Sequence, residues 1–462
     1  MARAGGEFVS KNLESYVSSV KTEFEQTLGA WVAIPTISAL PDRRNDIRAG
    51  AALAAETLEK AGATARVIET TGNPVVTGEF RTGDDHPTVT IYNHLDVQPA
   101  DEPDWQTTPF QMTIKDSVYT GRGTTDDKGP ALTALLAARY AVNQGTPINI
   151  KFIWELEEEI GSPNFESFVK ANRQDLSTDS IVVSDTIWIS RARPAIPIGL
   201  RGLLTARLIL ETGTKDVHSG LTGGGARNPI TELCHLIGEM YDPDLETVLI
   251  PGFYENVLPV DDAEYADHLR SGFRTNEFMR AHGLKKIYTR NPSNLMRQIW
   301  TRPTFEVHGI VGGYQGPGVK TAIPGHAEAK ISMRLVPDQS PQRQFRLLKD
   351  FVAERNADIE VRMDGALKPY LGPKTGPYAD AARHAMHTAF GTSPASVREG
   401  GSIGAVVTMN DYLKAPIVFL GLSLPDHGYH APNENFDWGQ ASGGIAMFEN
   451  YFDNLSRLPR QQ

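Results

Sequence analysis

The chain has one cysteine, Cys234, so no disulfide can close within it, a usage that fits a reducing compartment. Cys234 falls in the apolar helical pattern of residues 230–237 and is expected to be a buried packing residue rather than a nucleophile. No run approaches the roughly 20 apolar residues needed to cross a bilayer, and residues 1–10 lack the apolar core of a signal peptide. A cytoplasmic location with no membrane partner is the expectation. Positive charge is also short: 45 Lys and Arg against 56 Asp and Glu leave a formal charge of −11, which argues against nucleic acid as a partner. Neither internal repeats nor low-complexity tracts occur. At 40% hydrophobic and 22% charged, the composition excludes a disordered or fibrous chain.

The 462 residues exceed one ordinary core and suffice for two. Apolar residues recur at helical spacing over residues 13–31, 47–61 and 130–142, while residues 65–68, 88–92 and 148–154 read as strands. This alternation predicts an α/β fold, a mixed sheet flanked by helices. The pattern changes near Gly199. Beyond it lie an alternating run (203–211), a helix (228–241), an irregular charged stretch (242–293), and strands at 329–335 and 359–363 around a helix at 340–356. These predict a smaller α+β sandwich of residues 200–365 inserted into a first domain of residues 1–199 and 366–462, which resumes with a helix at 378–390 and a strand at 417–420.

Five segments carry candidate chemistry. His94 and Asp96 share one face of an extended segment, so one can ligate a metal while the other orients it. Asp126 and Asp127 follow a glycine-rich turn and precede a helix. Adjacent carboxylates with Lys128 as the single compensating charge suit a cation, although a helix cap would also use them. A phosphate loop is excluded because the glycines do not continue as GxGxxG and the carboxylates would repel phosphate. Glu157, Glu158 and Glu159 form an acidic run that is either a solvated face or, at a strand end, a ligand beside a general base. Asp185 ends another apolar run, and His430 lies in a late segment ending at Glu434. His86 and His308 lack such companions and read as surface or structural histidines. Three carboxylates and two imidazoles around two divalent ions leave a charge near plus one, suited to activating water.

Together these segments resemble the co-catalytic metallohydrolases that include aminoacylase, carboxypeptidase G and the cytosolic dipeptidases. The wording around His94, Asp96 and Gly121 to Gly129 is most similar to the carnosinase and nonspecific dipeptidase branch. The resemblance implies that His94 and Asp185 hold one metal, that Glu159 and His430 hold the other, and that Asp126 bridges both across a cis Asp126–Asp127 peptide. It implies Glu158 as general base and Asp96 as the support of His94. The metals would be zinc, with manganese as the alternative. The inserted segment would be a lid and dimerisation unit hinged near Gly199 and Leu367, whose His218 reaches the partner subunit's site in a homodimer. Arg334, Thr321, Gly401 and Ser402 match substrate contacts. Asp185, where a branch of the family has glutamate, resembles the dipeptidase rather than the carboxypeptidase pattern. Asn93 and Ile160 depart from the usual residues and put substrate choice in doubt.

The expected reaction is hydrolysis of the amide bond of a dipeptide, with an N-acyl amino acid as the alternative substrate. Two rivals remain. Gly400, Ser402 and Gly404 fit GxSxG with Asp426 and His430 downstream, the order of a serine hydrolase, although no convincing strand precedes the motif. A noncatalytic peptide-binding module would instead have lost ligands or base.

Overall fold

The computed structural model describes residues 10–459; residues 1–9, which carry most of the segment read for a signal peptide, lie outside the described residues. A six-stranded sheet runs in the order Thr64–Ile68, Val75–Phe80, Asn149–Glu155, Thr88–His94, Ser180–Val183, Ile417–Phe419. The last four strands are mutually parallel, and the two at the other edge are antiparallel. Alternation along Thr88–His94 sends Val89 and Ile91 to one face and Tyr92 to the other. On the first face the sheet packs against Gly129–Asn143, Pro377–Phe390 and Trp438–Ser456 among others; on the second lie Phe165–Ala171 and Gly404–Leu413. Both faces are thus covered, as parallel strands require.

Strand Ala195–Leu200 pairs with Ala395–Glu399 and Tyr370–Leu371. One residue later the chain enters a second sheet, antiparallel, in the order Glu306–Gly312, His326–Leu335, Gly202–Glu211, Glu360–Leu367. Helices Pro229–Met240 and Pro341–Arg355 cover one face of it and form a separate core with Leu204, Leu208, Ile331 and Met333. The fold is mixed α/β with an inserted α+β unit.

Two expectations need correction. Residues 242–293 are not irregular: they contain helices Asp262–Arg270 and Thr275–Ala281, each capped or flanked by polar residues whose charge masked a weak apolar period. Two strands have no counterpart in the sequence reading, Val75–Phe80 and Glu306–Gly312, because Gly78 and Gly309 interrupt their alternation. Cys234 is exposed, since Leu233, Leu236 and Met240 take the buried stripe of its helix and leave Cys234 beside it. Among the described residues, no helix is long and apolar enough to cross a membrane.

Candidate metal centre

Parallel strands end together, so side chains at their carboxyl ends converge on one crevice. His94 is the last residue of Thr88–His94, Asp185 lies two past Ser180–Val183, and Glu158 and Glu159 follow Asn149–Glu155. Asp126 comes from the turn preceding Gly129–Asn143, and its peptide bond to Asp127 is cis, as the resemblance implied. His430 arrives on the loop before the last helix with φ of +52°, a left-handed conformation uncommon outside glycine.

Asp126 is the meeting point. His94 Nε2 lies 2.9 Å from Asp126 Oδ1 and 3.8 Å from Asp185 Oδ2, while His430 Nε2 lies 3.1 Å from Asp126 Oδ2 and 3.2 Å from Glu159 Oε2. Donor atoms of His94, Glu158 and Asp185 all fall within 4.8 Å of one another, and so do those of His94, Asp126 and Glu159. Glu158, read from the sequence as a free base, therefore stands in the same cluster as His94 and Asp185. Asp126 Oδ2 is enclosed without an aligned hydrogen bond, which suits an oxygen reserved for a cation.

The electrostatics agree with this fit. Burial pushes the Glu158 and Asp127 carboxyls well above the carboxylate range and Asp185 up to about 6, with neighbouring carboxylates adding to each. The Asp126 and Glu159 carboxylates against its ring raise His430 to about 11. For His94, burial opposes protonation but is outweighed by Asp126 and Asp96. Divalent cations would relieve this crowding of acidic groups, and two imidazoles with several carboxylates are the donors that zinc or manganese takes.

Supporting contacts account for the placement. Asp96 accepts the amide N–H groups of Glu158 (3.2 Å) and Glu159 (3.0 Å), which fixes the glutamate turn. Its bond to His94 differs from expectation: the nearest partner of His94 Nδ1 is the Asp96 backbone carbonyl at 3.0 Å, with the carboxylate at 3.5 Å. Lys128 is corrected too. Its ammonium donates to the carbonyls of Trp31 and Ile34, away from the acidic pair, and burial lowers it to about 7. Asp127 is held instead by Asn93, whose Nδ2 donates at 2.7 Å, so the unusual Asn93 has a buried partner. Ile160 is exposed.

Sequence reasoning missed four participants. Glu434, wholly buried, accepts the N–H groups of Gly123, Thr125 and Asp126 and pairs with Arg122 at 3.0 Å. Tyr429 donates to Asp185 and Gln98 to Glu159. Only the histidine-rich segment around His430 could have pointed to Tyr429 and Glu434, and it gave them no role.

The remaining sequence candidates gather elsewhere. His218, which pairs with Ala322, and Thr321, which precedes the strand Ala322–Ile323, are exposed in the inserted unit, with Ser219 N–H donating to the Thr321 carbonyl. His218 is not among the clustered donors of its own chain. Arg334 Nη1 donates to Ser402 Oγ at 2.8 Å, and Gly401 accepts the Arg201 amide N–H. His86 bonds Thr82 and His308 bonds Ser332, as structural histidines do. The GxSxG segment does follow a strand, Ala395–Glu399, contrary to expectation. Its Ser402 hydroxyl is nevertheless taken by Arg334 and the Arg201 carbonyl, and His430 is taken by Asp126 and Glu159, so no serine–histidine pair forms.

Comparison with known proteins agrees with this geometry. Residues 90–454 match the model described as peptidase family M20/M25/M40. The chain is 32% identical over 467 residues to the beta-Ala-His dipeptidase of Homo sapiens, covering 96% of this chain and 92% of that one. Among solved structures, the di-peptidase Dug1p of Saccharomyces cerevisiae superposes with a TM-score of 0.86 at 26% identity, covering 97% and 98% of the two chains. The metallo-carboxypeptidase Sso-CP2 of Sulfolobus solfataricus does so with a TM-score of 0.88 at 31% identity, covering 94% and 100%. The chain belongs to peptidase family M20/M25/M40.

Proposed function

We propose that this protein is a dinuclear metallodipeptidase, and the observation that carries the reading is the Asp126 carboxylate, each of whose oxygens faces its own imidazole. In this reading His94 and Asp185 hold one cation, Glu159 and His430 the other, and Asp126 both. Zinc is the metal, with manganese the alternative. The cations would polarise the scissile carbonyl and acidify water at the site. Glu158 takes the water proton at its carboxylate and returns it to the leaving amine, a task that its raised pKa suits. Asp96, through the amides of Glu158 and Glu159, keeps that carboxylate in place.

Residues 200–365 form the lid and residues 1–199 with 366–462 the catalytic domain. The unpaired edge strand Glu306–Gly312, which exposes Val307, Ile310 and Val311, supports a homodimer through the lid. His218 of one subunit then stabilises the oxyanion in its partner, and Arg334, Thr321, Gly401 and Ser402 hold the substrate. A cytoplasmic enzyme accords with the lone cysteine.

The test is hydrolysis of dipeptides, longer peptides and N-acyl amino acids by metal-stripped protein reconstituted separately with zinc and manganese. Dipeptides should be cleaved only with metal. Turnover confined to N-acyl amino acids, or to longer peptides as for a carboxypeptidase, would overturn the reading.

A further inference from the structure

The face of the inserted sheet left open by its two helices is roofed by residues 241–305, and a cavity of ≈ 960 Å³ lies between them. Tyr254, Phe278, Tyr288 and Phe305 give it an apolar wall, but its charged lining is basic: Arg201, Lys286, Arg302 and Arg334 against Glu246 and Glu306. Two of these charges are occupied locally. Glu246 accepts from Gln298, and Arg302 lies over the Tyr254 ring at 5.4 Å.

Arg201 and Arg334 are not. Among the described residues neither has a carboxylate within ion-pair distance. Arg201 Nε donates to the Gly400 carbonyl at 3.1 Å, while its Nη1 is enclosed without a partner. Burial, with the repulsion of Arg334, lowers Arg201 to about 10. Glu306 across the cavity attracts Arg201 without pairing with it, and a largely enclosed guanidinium that lacks an ion pair is costly; here two adjoin in a protein of net charge −11. One loop runs between the cavity wall and the metal centre. The loop Glu399 to Ser402 sits under the field of Asp185 at its first residue and reaches Arg334 at its last.

We propose that Arg201 is a specificity-determining residue that receives a second negative charge beside the one taken by Arg334, so that peptides ending in aspartate or glutamate are preferred. The inference rests on the dipeptidase reading for its substrate, but not for its ligand chemistry. An apolar side chain could fill the wall, yet only a second anion satisfies both guanidinia.

The experiment compares Ala-Glu with its uncharged isostere Ala-Gln on the metal-loaded enzyme. The wild type should favour Ala-Glu by about 10- to 100-fold in kcat/KM, chiefly through KM. Arg201→Met should bring that ratio toward one, and Arg201→Lys, which keeps the charge, should restore part of it and guards against misfolding of the methionine variant. Equal turnover of both peptides by the wild type, or an unchanged ratio in Arg201→Met, would overturn the proposal. Calorimetry with glutarate and its monoamide provides a readout without turnover: glutarate should bind the wild type more tightly and lose that advantage in Arg201→Met. Should no dipeptide be cleaved, the dipeptidase reading fails while this measurement still decides Arg201. Glutarate binding that does not compete with Ala-Glu would assign the site to a free dianion and refute the substrate role.

Discussion

Glu434 accepts the backbone N–H of Asp126 at 3.1 Å, so the carboxylate at the centre of the metal cluster is positioned through its own main chain by a residue that touches no other member of the cluster. The same side chain pairs with buried Arg122. Glu434→Gln should leave that guanidinium only the longer, partly exposed contact with Glu102 at 3.6 Å and cost about 2 to 3 kcal/mol of stability, with metal affinity falling roughly 10- to 100-fold. Denaturant unfolding and metal titration measure the two effects, and unchanged metal affinity would contradict the positioning role.

Glu158→Gln removes a proton acceptor while keeping shape. Turnover should fall by about 10²- to 10⁴-fold with metal content near that of the wild type. Emission spectroscopy for metal and initial rates at saturating substrate check this, and full activity in the variant would eliminate Glu158 as the base.

Chelation should abolish turnover and lower the melting temperature together, because buried Asp126 and Asp185 and the neighbouring Glu158 are then left with only the two imidazoles to offset them. Added back at 100 times its dissociation constant, each ion should return about 2.7 kcal/mol. A melt indifferent to chelator would show that the cluster holds no ion.

Glu155, which pairs with His94 in the sheet, gives a pH test that is read by stability rather than turnover. Burial raises its carboxyl to about 8, with Tyr92 donating to it. The folded protein therefore retains a proton between about pH 4.5 and 8 that the unfolded chain releases, so this contribution to stability is complete below 4.5 and is lost as pH rises through 8. Glu155→Gln should match the wild type near pH 4.5 and exceed it by on the order of 4 kcal/mol above pH 8. Parallel stability curves for the two proteins would refute the assignment.

For the partner-subunit role of His218, a mixture of His218→Ala and Glu158→Gln proteins is decisive. Each should lose about 100-fold or more alone, and subunit exchange should restore part of the activity through hybrids with one intact site. Sedimentation showing monomers, or no recovery on mixing, would contradict the homodimer.

The clustered donors were readable because their chemistry is local: His94 with Asp96, Asp126 beside Asp127 and the Glu157–Glu159 run each place candidate donors within a few residues at the ends of strands or in the loops that follow them. Their supporters were not. Arg122 and Glu434 are separated by 312 positions, and a lone glutamate in a loop carries no period or spacing that announces a partner so distant. Lys128 illustrates the reverse error, since adjacency suggested a pairing that burial against the Trp31 and Ile34 carbonyls overrides. Strand Val75–Phe80 and helices Asp262–Arg270 and Thr275–Ala281 escaped because glycine or charge blurred the apolar rhythm, while packing decided their structure.

The arrival of Tyr429 and His430 on Asp185 and Asp126 ties the order of synthesis to competence. A ribosome making this chain will have extruded both sheets and the whole inserted unit before the last donor emerges, so nascent chains spend most of their elongation with an open acidic crevice. Loading of the ion pair is then an event of termination rather than of early folding, and a message cut short ahead of residue 430 yields a protein that folds in part and activates nothing.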